Sequence, residues 1–254
     1  MSGSLAGLGL SAARGVALGA FSLGITQTAL LRMRGMPEPR RTQVMLRWVR
    51  RWAAGLLALF GVERRFSGQP ARWGGGPRLV VANHRSPLDI IVLLECFGGF
   101  VLARHDLAAW PMLGFAARES GTIFVDRNDP RSGAKAIREI RRRLTAGHTV
   151  IVFPEGTTHA GDEVHPFLGG ALAGLRGLDV ELLPVGIAYL PGCEFVNEGF
   201  GQHVLRAAQR VKTPVAVCVG TPLPAHGKRE VLAAALRDEI QTLVHAARDS
   251  LRRA

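Results

Sequence analysis

The sequence predicts an α/β fold: a mixed, largely parallel sheet covered by helices, with membrane-associated helices at its amino terminus. Three observations predict it. From Gly68 onward, short β-type runs alternate with helical stretches, the pattern of a sheet whose crossovers are helices. Residues 15–31 carry no charge, and the segment after them combines an apolar face with a basic one. At 254 residues the chain suits one sizeable domain with an appendage and is too short for two full ones.

Composition narrows the partners. Thirty-two Lys and Arg against 20 Asp and Glu give a formal charge of +12, which favours nucleic acid or an anionic membrane surface. Aromatics are only 6% of the chain, so stacking residues for single strands are scarce, and no zinc-finger, basic-zipper or RNA-recognition signature occurs. An anionic membrane surface is therefore expected and a nucleic acid is not. Cys96, Cys193 and Cys218 lie far apart in apolar surroundings, which offers neither a disulfide framework nor paired metal-ligand spacing.

Residues 1–35 form the first expected segment. Its uncharged stretch, bracketed by Arg14 and by Arg32 and Arg34, reaches only the lower end of the roughly 17–25 residues a spanning helix needs. A weak span and insertion into one leaflet both fit. A secretory signal is not expected, because the first thirteen residues contain no Lys or Arg. Residues 36–66 form the second segment. After Pro37 and Pro39, Met45, Trp48, Val49, Trp52, Leu56, Leu59 and Phe60 recur at helical spacing, with Arg40, Arg47, Arg50 and Arg51 opposite. Such a helix suits the headgroup region of a membrane, and it equally suits packing on the body.

Residues 67–254 form the body. Strands are expected at Leu79–Ala82, Phe100–Ala103, Thr122–Val125, Thr149–Phe153, Val180–Tyr189 and Val215–Val219. Helices are expected at Leu88–Cys96, Trp110–Glu119, Gly133–Ala146, Gly170–Arg176 and about Lys228–Arg252. In such sheets ligands bind beyond the carboxyl ends of the strands, so the residues following each run matter most.

After the first run comes Asn83-His84-Arg85-Ser86-Pro87-Leu88-Asp89. Histidine accepts a proton near neutral pH, and a carboxylate on its other ring nitrogen fixes its tautomer. Asp89 folding back onto His84 would make that pair. A helix-capping Ser86 or Asp89 beside a surface histidine explains the same residues. After the fourth run, Phe153-Pro154-Glu155-Gly156-Thr157-Thr158 makes a sharp turn that aims Glu155 into the cleft, or simply ends a strand. The third run ends at Asp126-Arg127, where an arginine suited to holding a phosphate stands at the same sheet edge. Pro184 belongs to the fifth run. His159 and His165 bracket the loop after Glu155, and Arg141–Arg143 reads as a solvated face. Gly74–Gly76 precedes a strand and does not enter a helix, so no phosphate loop is indicated.

Taken in order, residues 83–89, 121–127, 153–157 and Pro184 resemble the four blocks of the glycerolipid acyltransferase family, the 1-acylglycerol-3-phosphate acyltransferases and their relatives. The resemblance covers about Gly68 to Leu223. It implies that His84 is the general base for an acceptor hydroxyl, oriented by Asp89, and that the alkoxide attacks the thioester of acyl-CoA or acyl-carrier protein. It implies no covalent acyl-enzyme, metal or other cofactor. It places Asn83, Gly121, Arg127, Glu155, Gly156 and Thr157 among the substrate-binding residues, and the enzyme on the cytoplasmic face of the cell membrane. The implied acceptor is 1-acyl-sn-glycerol-3-phosphate, giving phosphatidic acid. Thr158, where the family often has Arg, and Leu168, where many members have Lys, remove two cations and leave another lysolipid open, such as lyso-ornithine lipid. From another class, a non-catalytic protein binding anionic membranes through residues 40–65 is the alternative. A lipase is not, because no Gly-x-Ser-x-Gly elbow occurs.

Overall fold

The computed structural model describes residues 5–69, 76–109 and 113–253. Gly74, Gly75 and the expected helix start at 110–112 lie outside the described residues. Two helices open the chain, α1 (Leu5–Met33) and α2 (Arg40–Leu59). The body runs β1 (Val62–Gly68), β2 (Arg78–Ala82), α3 (Pro87–Phe97), β3 (Phe100–Arg104), a 3-10 turn (His105–Ala109), α4 (Leu113–Glu119) and β4 (Ile123–Val125). It continues with α5 (Pro130–Thr145), β5 (Thr149–Val152), a second 3-10 turn (Ala171–Leu175), β6 (Glu181–Tyr189), α6 (Phe200–Gln209), β7 (Thr213–Val219), β8 (Leu223–Pro224) and α7 (Arg229–Arg252).

The strands form one sheet in the order β1-β7-β6-β2-β5-β3-β4, with β8 on β6. Pairing is parallel throughout except where β7 and β8 run antiparallel to β6. The central strands β2, β5 and β6 are buried on both faces and are continuous apolar runs rather than alternating ones. One face packs α2 and α3 through Leu57, Val92, Leu93 and Phe97. The other packs α5 and α7 through Ile140, Leu144, Leu236, Ile240 and Val244.

Several elements differ from the sequence expectation. Val62–Gly68 is an edge strand pairing with β7, so the sheet begins before residue 67 and α2 stops at Leu59. Glu63, Arg64 and Arg65 hide that strand from an apolar pattern. Helix α6 was not expected, and the Gly170–Arg176 helix is only a 3-10 turn. The arginine run is also not uniformly solvated: Arg143 lies over the Phe100 ring at 3.8 Å, while Arg142 pairs with Glu139.

Helix α1 is one continuous element, and its segment Gly7–Met33 is long and apolar enough to cross a membrane by length and composition. It also docks on the body. Arg14 is buried and donates to the carbonyls of Ala208 and Arg210, capping the end of α6, where a cation also meets the negative end of the helix dipole. Trp52 of α2 donates to Ser22 of α1 at 3.0 Å. Leu8, Val16, Leu23 and Leu31 remain exposed along the outer side of α1.

Candidate active site

The site starts from a helix cap. Ser86 is the N-cap of α3, its hydroxyl accepting from Leu88 N, and Pro87 takes the first helical position, where a missing N–H costs nothing. Asp89 is at the third position, and its carboxylate reaches back to the Ser86 amide at 2.8 Å to close a capping box. The same oxygen, Oδ2, accepts from Arg85 N at 2.6 Å and faces His84 Nδ1 at 2.8 Å. The spacing of five between His84 and Asp89 follows: the carboxylate that caps the helix is the one that meets the ring. The capping and base-orienting readings of this segment are therefore one arrangement.

Asp89 is fully buried, with its carboxylate among the amides at the start of α3. With the carboxylate on Nδ1, the imidazole carries its proton there and presents Nε2 as an acceptor. The ring stacks on Phe153 with centroids 4.2 Å apart and keeps 16% of its side-chain surface exposed.

His84 lines a cavity of about 340 Å³ enclosed by α1, α2, α3, β3 and α4, with apolar walls that include Leu30, Trp52, Ile91, Val101 and Ala117. Arg127, Gly156, Thr157 and Thr158 lie on its lining with His84. An apolar cavity with a few polar groups on its lining suits a hydrocarbon chain with a reactive polar terminus.

The structure gives three of the remaining expected residues structural work. Asn83 is buried, and its amide exchanges hydrogen bonds with the main chain of Ile187 at 2.8 and 2.9 Å, extending the β2–β6 ladder by a side chain. Gly121 does not line the cavity. At φ +74 it sits where an added Cβ would meet the Phe100 ring at 3.0 Å. Glu155 does not project into the cleft either. Its carboxylate is buried, accepting from His84 N at 2.7 Å, from Arg85 Nη1 at 3.0 Å and from His165 N at 3.0 Å. Arg85 is equally buried and also donates to Gly161 O and Glu163 O, so it cannot supply charge to an acceptor.

Arg127 does line the cavity, donating to Gly156 O. Gly156 has φ +85, a conformation that favours glycine, and a Cβ there would press on the Arg127 guanidinium at 2.8 Å. Burial, and then the neighbouring Arg104, hold Arg127 below the usual arginine range. Arg104 itself is paired with Asp106. His159 and His165 stack at 3.7 Å on the loop after Glu155, and His159 N donates to His84 O. Among the described residues no group of three or more His, Cys, Asp or Glu is arranged to hold a metal ion.

One contributor had no signal in the sequence. His203 of α6 is buried, with Nε2 3.0 Å from the Ser86 hydroxyl and Nδ1 2.8 Å from Glu198. With Nδ1–H on the carboxylate, Nε2 accepts from Ser86, and the Ser86 lone pairs stay turned to the helix cap. Burial holds His203 below the ordinary histidine range, outweighing the opposing pull of Glu198. It lies 117 positions from Ser86, and only the fold joins them.

Comparison with known proteins identifies relatives of the chain. A family model described as Acyltransferase matches residues 63–188. A lyso-ornithine lipid O-acyltransferase of Pseudomonas aeruginosa is 31% identical over 229 residues, covering 86% of this chain and 85% of its own. A 1-acyl-sn-glycerol-3-phosphate acyltransferase of Neisseria meningitidis serogroup B is 29% identical over 155 residues, covering 61% of this chain and 58% of its own. The crystal structure of the 1-acyl-sn-glycerophosphate acyltransferase PlsC from Thermotoga maritima superposes with a TM-score of 0.67 at 21% identity, over 93% of this chain and 97% of that one, a likeness of fold.

Proposed function

This chain belongs to the acyltransferase family, and from that premise we propose that it transfers an acyl group from a thioester to the free hydroxyl of a lysolipid at a membrane surface. The observation that carries the proposal is the His84–Asp89 pair on the lining of a cavity whose walls are mostly hydrocarbon side chains. His84 Nε2 takes the hydroxyl proton as the oxygen attacks the thioester carbonyl. Asp89 stabilises the imidazolium that forms. Collapse of the tetrahedral intermediate breaks the carbon–sulfur bond, and the proton on Nε2 passes to the leaving thiolate. Acyl-CoA and acyl-carrier protein both supply such a thioester. Helices α1 and α2 form the membrane-facing unit, with the body on the cytoplasmic face.

For the acceptor, an ornithine-type headgroup is favoured. Arg85 is consumed by Glu155, Arg104 by Asp106, and Thr158 stands where an arginine would add charge, which leaves Arg127 as the cation beside Gly156. A headgroup carrying both amino and carboxyl groups asks less of that site than a phosphomonoester, and Glu119 and Arg127 bring charges of both signs to the cavity lining. The relative from Pseudomonas aeruginosa, which spans most of the chain, is named for that acceptor. Arg127 on the cavity lining keeps 1-acyl-sn-glycerol-3-phosphate as the second reading. The test is a lysolipid panel: the full chain in anionic vesicles, an acyl-CoA, and mass detection of products. Faster acylation of lyso-ornithine lipid is expected. Preference for the phosphomonoester reverses the acceptor assignment, and transfer to no lysolipid overturns the proposal.

A further inference from the structure

Asp89 has two carboxylate oxygens, and the site described above uses one. Oδ2 accepts from His84, Arg85 and Ser86, while Oδ1 is fully buried with no hydrogen-bond partner among the described residues. A buried carboxylate oxygen without a donor is costly, so an orphan at the centre of a reactive pair calls for a reason. A second orphan sits on the same side of the sheet. The phenol oxygen of Tyr189, the last residue of β6, is also buried, with no partner in hydrogen-bonding geometry among the described residues.

The fold brings the two together. Val185, Ile187 and Tyr189 alternate along β6 toward the core that contains Val92 and Leu93 of α3, the helix whose first turn carries Asp89. Burial first, and then contact with Asp89, push the phenol well above the usual tyrosine range. The hydroxyl therefore keeps its proton and remains a donor. Tyr189 is anchored from behind, since its carbonyl accepts from Arg248, whose guanidinium is paired with Asp162 at 2.7 Å. Core filling alone does not explain it. The chain uses eleven phenylalanines and a single tyrosine, and a phenylalanine here would fill the space without burying an unpaired hydroxyl.

We infer that Tyr189 is a positioning residue for acyl transfer: its hydroxyl donates to Asp89 Oδ1 and holds the carboxylate with Oδ2 on His84 Nδ1. This rests on the reading of His84 and Asp89 as the proton-transfer pair. Without the phenol the carboxylate is more basic, binds the His84 proton more strongly, and raises the pH at which the ring loses its charge.

The test is Tyr189→Phe in the full chain, an isosteric change whose folding is checked by its thermal midpoint. The kcat is expected to fall on the order of tenfold, the lower end of what a hydrogen bond to a charged group contributes. KM for both substrates stays within about twofold, and the acidic limb of the kcat/KM profile moves to higher pH, shifts a purely structural role would not give. In an Asp89→Asn background the same change adds little, because the two act through one group. Wild-type kcat and pH profile in Tyr189→Phe, with Asp89→Asn inactive, overturn this inference alone. Full activity in Asp89→Asn overturns the reading beneath it.

Discussion

Glu155 holds His84 by its main chain: Oε1 accepts the His84 amide at 2.7 Å while the same carboxylate closes on Arg85. The loop bearing the base and the loop following β5 are thereby locked through one buried ion pair.

Removing one partner of that pair leaves an uncompensated buried charge. Glu155→Ala is expected to destabilise the fold by about 3–5 kcal/mol. Denaturant titration of the full chain measures it. Activity should fall alongside, since the His84 amide loses its acceptor. A fully stable, inactive variant would instead place Glu155 among the residues touching substrate.

Arg127 is the rim cation that remains beside Gly156. Arg127→Gln should lower kcat/KM on the lysolipid on the order of tenfold or more, chiefly through KM, with Arg127→Lys partly restoring it. Initial rates across acceptor concentration separate the two parameters. An unchanged KM would remove Arg127 from acceptor binding.

The cavity walls set what chain fits. Ala103 is nearly buried and lines the cavity with Val101 and Leu102. Ala103→Phe should narrow that space and move the preferred acyl chain toward shorter lengths, at a stability cost of about 1–3 kcal/mol for overpacking. Product mass spectra from a mixed-chain donor pool read this directly. An unchanged chain profile would place the hydrocarbon elsewhere.

His203 ties stability to pH. A histidine held below its ordinary range takes up a proton more readily in the unfolded chain than in the folded one. Its contribution is complete above about pH 6.5, the unperturbed histidine value, and is lost as pH falls through the lower folded value. His148 and His159, lowered chiefly by burial, act in the same direction. The thermal midpoint should therefore fall below about pH 6.5, and less steeply in His203→Gln. Parallel curves for the two proteins would contradict this.

Much of the fold was legible because its central strands are unbroken apolar runs, as at Leu79–Ala82 and Thr149–Val152. Strand β1 was not, since its charges face outward at an edge. The His84–Asp89 pair was legible from local chemistry, a cap and its box within six residues. The work of Glu155 was misplaced, because a turn pattern shows that a carboxylate is held but not which way it faces. Asn83 and Gly121 do structural work that local spacing did not indicate: one completes a ladder and the other clears space for a ring. Ser86 with His203, and Asp89 with Tyr189, are joined only through tertiary packing of α6 and β6 against the start of α3, which no local spacing encodes.

The central claim is that His84 removes the proton from the acceptor. Its most direct test is the rate of acyl transfer by the full chain carrying His84→Ala, with an acyl thioester and saturating lysolipid, beside wild type and checked for an intact thermal midpoint. A loss of at least about a hundredfold is predicted, the contribution of a positioned general base. A correctly folded His84→Ala protein that transfers acyl groups within about twofold of the wild-type rate, well inside that range, would contradict it.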